Sequence, residues 1–101
     1  MAVDLTPRVQ QVIAHFFQPA TASFVGNLLI EECGSNLPLY KPSTPVGLER
    51  VRLAVLKLSH GDQDKLLEAI SLAKRDWRDV LVWAGFGNDL EAHKKWAEGL
   101  K

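Results

Sequence analysis

Helix boundaries are spelled out between Pro45 and Gly85, and that punctuation constrains the fold more than any other feature of the chain. Ser43-Thr44-Pro45 is a helix opening: hydroxyls that can accept free N–H groups, then a proline whose missing N–H costs nothing in the first turn. Ser59-His60-Gly61-Asp62 is a stop and a restart. Gly61 suits the left-handed residue after a helix, and Asp62 suits the cap of the next one. Asp76 can cap again, Asp79 falls where a helix dipole favours an acid, and Gly85 ends the run. Between these marks Leu48, Val51, Val55 and Leu58 recur at helical spacing, and Leu53 and Leu56 widen the apolar arc. A helix over 45–59 is therefore expected at the centre of the fold, with Glu49, Arg50, Arg52 and Lys57 marking its wet side.

Leu66, Leu67, Ile70 and Ala73 continue the pattern over 63–75, and Trp77, Val80, Leu81 and Ala84 over 77–84. One unbroken helix would also fit, because Leu66, Ile70, Ala73, Trp77, Val80 and Ala84 are spaced 4-3-4-3-4. Asp76 favours the break. N-terminal to this region, Thr6-Pro7 opens a helix over 7–18 that carries Val9, Val12, Ile13, Phe16 and Phe17, and Pro19 ends it. A second helix is expected over 21–33, with Phe24, Val25, Leu28 and Leu29 as its stripe and Gly34 as its stop, although Ser23–Ile30 also reads as a strand. Residues 34–44, with two prolines of their own, read as a loop, and Asn88 or Asp89 caps a last helix over 89–99. The expected fold is all-α: a compact single domain, 1–101, of about five short helices around a central helical hairpin.

From Leu48 onward the chain resembles a family of small uncharacterised bacterial proteins. The residues that carry the likeness are ERVRLAVLKLSHGDQDKLLEAI (Glu49–Ile70) and AKRDWRDVLVWAGF (Ala73–Phe86). The resemblance implies a bacterial origin and a compact helical unit. The family has no assigned activity, so no residue role comes with it.

Composition sorts the function classes. The 101 residues hold 12 acids and 12 bases, which argues against a general nucleic-acid binder, whose affinity rests on a basic footprint. A single cysteine, Cys33, makes no internal disulfide and fits a reducing compartment. The N-terminus has no apolar signal core and no stretch is long enough to span a membrane, so the expectation is a cytoplasmic protein.

Candidate sites fare poorly. Cys33 with His15, His60 or His93 would supply a thiol and a base, but Glu31 and Glu32 beside it raise a thiol pKa. A buried, inert cysteine is the expectation. Asp89 and His93 are four apart and could give two metal ligands, yet no second pair is visible, and Asp62-Gln63-Asp64 lacks the glycine and distal acid of a calcium loop. Gly85-Phe86-Gly87 has no following lysine and no preceding strand, so it is no phosphate loop. A DNA-binding helix–turn–helix would need apolar neighbours where His60 and Asp62 flank Gly61. Pro42-Ser43-Thr44-Pro45 has polyproline-ligand spacing, but Lys41 abuts the first proline, so a stiff lead-in to the next helix is expected. No catalytic residue, metal or cofactor is expected.

Two surfaces remain. Trp77, Trp83, Phe86 and Trp96 crowd one end of the chain. Trp83 lies off the Trp77–Leu81–Ala84 seam, so it either packs against the last helix, the ordinary outcome, or is exposed. With Phe86 and Trp96 it marks the place for a protein interface. The alternative is a phosphate-contacting cluster of Lys74, Arg75 and Arg78, with Asp76 and Asp79 interleaved. Exclusion therefore leaves a small non-catalytic protein that acts through contact with another protein, its oligomeric state open, with nucleic-acid binding or regulation through the basic cluster as the second reading.

Overall fold

Five helices account for the secondary structure of the described residues, and local chemistry explains most of their boundaries. The structure is a computed structural model that describes residues 5–33, 45–87, 89 and 91–100. The loop expected over 34–44, the proline spacing within it, the Ser43 and Thr44 openings and the Asn88 cap lie outside the described residues. Helix α1 (Pro7–Phe16) starts as expected, with the Thr6 hydroxyl accepting from the Val9 N–H. It stops two residues short of the expected end. Pro19 is the cause, because a proline pushes its predecessor into extended backbone, and Gln18 has φ −68° and ψ 157°. The same proline occupies the first turn of α2 (Pro19–Glu32), so it opens the second helix as well as ending the first. The strand alternative for Ser23–Ile30 is not taken.

Helix α3 (Pro45–Ser59) ends in a tight turn in which His60 and Gly61 both have positive φ, 50° and 81°. Ser59 is fully buried there and satisfied twice, donating to the Leu56 carbonyl at 2.6 Å and accepting from the Gly61 N–H at 3.2 Å. Asp62 caps α4 (Gln63–Ala84) by accepting from Asp64 and Lys65.

Helix α4 is not straight. Asp76 has extended backbone, φ −157° and ψ 102°, inside an otherwise helical run. Its carboxylate accepts from the Arg78 N–H at 3.1 Å and holds the Arg78 guanidinium at 3.0 Å, so it acts as the cap of the second half. A straight helix would carry Ala84 about 32 Å from Gln63. Instead the Ala84 carbonyl meets Lys57 Nζ at 2.7 Å, and Lys57 borders the turn that leads into α4, so residues 77–84 return along α3. Gly85, at φ 83°, closes the helix. The last helix, α5 (Ala92–Glu98), is shorter than expected, and Asp89 accepts from the Glu91 N–H in the turn before it.

The core is drawn from all five helices: Val9, Val12 and Ile13 of α1, Val25 and Leu29 of α2, Leu66, Ile70, Val80 and Leu81 of α4, and Ala97 of α5, around α3. Leu67, expected in the α4 stripe, is instead 47% exposed. No helix is long and apolar enough to cross a membrane among the described residues.

Gly85 offers a direct check of this account. A Cβ there would sit 3.8 Å from Lys57 Nζ, ordinary contact distance, so only the left-handed backbone resists substitution. Gly85→Ala is expected to lower the free energy of unfolding by about 1–2 kcal/mol in urea denaturation, and Gly85→Asn by less.

Candidate functional site

The supposed wet side of α3 is not wet. Glu49 is 5% exposed and Arg52 1% exposed, while Arg50 and Lys57 are half-buried. The expectation assumed that one face of the helix meets water. Helix α3 instead has α1, α4 and α5 packed against it, so its charged side chains must find partners inside the protein. They find them at helix ends. Arg52 Nε donates to the carbonyl of Cys33, the C-cap of α2, at 2.9 Å. Lys57 Nζ donates to Ala84 O at the end of α4, and Arg50 Nη2 to Phe86 O just beyond it at 2.8 Å. The last carbonyls of a helix lack partners within it and carry the negative end of its dipole, so a cation satisfies both demands at once. Lys57 also lies 5.1 Å from the centre of the Phe86 ring and 6.0 Å from that of Trp96.

Glu49 does the complementary work at the start of α1. Its carboxylate accepts from the Thr6 hydroxyl at 2.6 Å and from Arg8 Nη1 at 3.1 Å. His93 of α5 brings Nε2 to 3.3 Å from the same carboxylate, although neither of its ring nitrogens completes a well-formed hydrogen bond among the described residues. His93 is fully buried. That burial pushes its pKa below the ordinary imidazole value, and the nearby Arg50 and Lys94 charges push the same way, against the opposing pull of Glu49. Glu49 also faces an open groove of about 710 Å³ between α1 and α5. Arg8, Gln11 and His15 line its α1 wall, and Ala97 and Glu98 of α5, with Leu100 just beyond that helix, line the other. The spacing of Arg8, Gln11 and His15, i, i+3 and i+7 on one helix, was the available signal for this wall, but nothing in the sequence paired it with Glu49.

The residues singled out from sequence are dispersed. Trp83 is 74% exposed and makes no ring contact among the described residues, so it does not pack against α5. The reason lies in the fold-back of α4, which turns Trp77, Val80, Leu81 and Ala84 inward and leaves Arg78, Asp79, Val82 and Trp83 outward. Phe86 is buried and packs on Trp96 with ring centres 5.9 Å apart, while Trp96, half-buried, also stacks on Phe16 at 6.1 Å. In the basic cluster, Lys74 pairs with Glu32 at 2.6 Å and Arg78 with Asp76, and both contacts hold the cations charged. Arg75 alone of the three has no ion pair among the described residues.

Cys33 is buried, and desolvation pushes its thiol up to about 12, so it is far from a thiolate nucleophile at neutral pH. Among the described residues, the charged groups that act on it are Arg52, Glu32 and Lys74, and His15, His60 and His93 are not among them. Among the described residues no three His, Cys, Asp or Glu side chains converge in a way that could hold a metal ion.

No family model matches the chain, and no curated protein or solved structure proves similar to it.

Two outcomes follow from this arrangement. Arg52→Ala leaves the Cys33 carbonyl unsatisfied and a cavity behind, and should cost about 2–4 kcal/mol in chemical denaturation. Arg52→Met, which refills the volume, should recover part of that loss. Second, because His93 titrates lower in the folded protein than in the unfolded chain, its stabilising contribution is present above pH 6.5 and is lost as pH falls through the depressed folded value. Thermal unfolding between pH 7.5 and 5 should show this decline, and His93→Gln should flatten it.

Proposed function

We propose that this is a small cytoplasmic bacterial protein that works by contact with another protein rather than by catalysis. The observation that carries the reading is the outer face of residues 77–84, where Val82 is 67% and Trp83 74% exposed side by side. An exposed tryptophan is the residue type most often found at the centre of a protein interface, where its large apolar surface meets a pocket on the partner. Trp83 lies outside the core, so its large apolar side chain has no packing role in the fold. Arg78 and Asp79 on the same face supply a polar rim. The other two aromatic residues of the expected surface support it from behind. Phe86 and Trp96 pack under Lys57 and fix the end of α4 from which Trp83 projects. Nucleic-acid contact through Lys74, Arg75 and Arg78 is the weaker reading, because two of the three cations are already held by acids within the chain.

A photoreactive phenylalanine analogue in place of Trp83, introduced in the native host, should give a covalent adduct of discrete mass. The same analogue in place of Ser71, an exposed polar position on the first half of α4, should not. Trp83→Ala should retain the parent helical circular dichroism and unfolding midpoint. Adducts at both positions alike, or at neither, would remove the reading.

A further inference from the structure

We propose that this chain exchanges residues 77–100 with a second copy of itself, through straightening of α4 at Asp76. The bend in α4 rests on one residue. Asp76 alone within the helix leaves helical backbone, and its φ of −157° and ψ of 102° lie in extended space that any residue adopts. No backbone strain holds the bend or opposes it. What fixes it locally is a cap at the surface, the Asp76 carboxylate on the Arg78 N–H and guanidinium. Straightening gives up that cap and regains backbone bonds that a break in a helix forgoes. The bent and straight hinges are therefore close in free energy.

The segment beyond the hinge is held by the rest of the chain, and those contacts can be remade between copies. The Ala84 and Phe86 carbonyls accept from Lys57 and Arg50 of α3, His93 lies against Glu49 of α3, and Trp96 stacks on Phe16 of α1. All four of these partners precede Asp76. The packing of Phe86 on His93 and Trp96 stays within the segment and travels with it. The apolar rhythm of Leu66, Ile70, Ala73, Trp77, Val80 and Ala84 runs through the hinge without a change of phase. The bend does not require that match, and a straight α4 does: its first half then lies on its own α3 and its second half on the α3 of the partner. The copies carry no net charge, so no mean repulsion opposes their meeting. Trp83, exposed on the outer face, takes part in none of these contacts, so the exchange is independent of the Trp83 surface.

The test is refolding of the full chain from urea at about 1 mM, near the effective concentration with which a tethered segment competes, followed by size exclusion with light scattering. A dimer should appear beside the monomer. In a sample refolded from equal parts of isotope-labelled and unlabelled chain, isotope-filtered NOEs should connect Phe16 of one chain to Trp96 of the other. Asp76→Ala and Asp76→Gly both remove the cap, but alanine favours a continuous helix and glycine does not. Two hinges straighten in each dimer, so the alanine variant should dimerise about tenfold more tightly than the glycine variant, or more. Because the cap is absent from both, its loss cannot produce the difference. Trp83→Ala should leave the dimer unchanged. Monomer alone for the parent chain at that concentration, Phe16–Trp96 NOEs only within one chain of the dimer, equal affinities of the alanine and glycine variants, or loss of the dimer in Trp83→Ala would overturn the proposal.

Discussion

A helix enclosed by its neighbours cannot send its charges to water, and that constraint organises this protein. Helix α3 carries Glu49, Arg50, Arg52 and Lys57, and each side chain ends on a backbone terminus or cap that needs the charge it brings. The cations meet the carbonyl ends of α2 and α4, and the acid meets the capped start of α1. Helix ends buried without partners are costly, and so are buried ions. Here each problem is the solution of the other. The same contacts fix where α2 and α4 end and where α1 begins relative to α3, which apolar packing alone, being non-directional, would leave free to slide.

Much of this architecture was legible in the sequence, and the part that was not has a common cause. Thr6, Asp62, Gly61 and Gly85 act within a turn of their own position, so their roles follow from local chemistry and were readable. The break at Asp76 was readable for the same reason. Long-range roles were not. Arg52 looks the same in sequence whether it faces water or the carbonyl of Cys33, nineteen residues away, and the period of α3 encodes only where its apolar residues lie. An amphipathic reading presumes one wet face, and a central helix has none. Trp83 shows the converse. Its exposure follows from the fold-back of α4, which is set by contacts with α3 rather than by its own neighbours.

The candidate surfaces divide along the same line. The Trp83 face stood out as an aromatic residue off the seam, although Phe86, grouped with it by proximity in sequence, lies in the core. The groove between α1 and α5 was invisible, because its two walls are more than eighty residues apart in the chain and its ion-paired guanidinium depends on an acid from a third helix. Charge balance over the whole chain, which argued against a polyanion partner, says nothing of how those charges are distributed on one small concave surface.

The bend in α4 sets the dimensions of the molecule. Its apolar residues keep the same 4-3-4-3-4 rhythm through Asp76, so the pattern alone would accept a rod of 22 residues, about 33 Å long. That rod would be as long as the greatest extent of the entire fold, 32 Å. Laid out straight, it would strand Val80 and Leu81 beyond the body of the protein and take the acceptors of Lys57 and Arg50 with them. One aspartate and two cations on another helix thus choose between a globule and a protruding arm built from identical side chains.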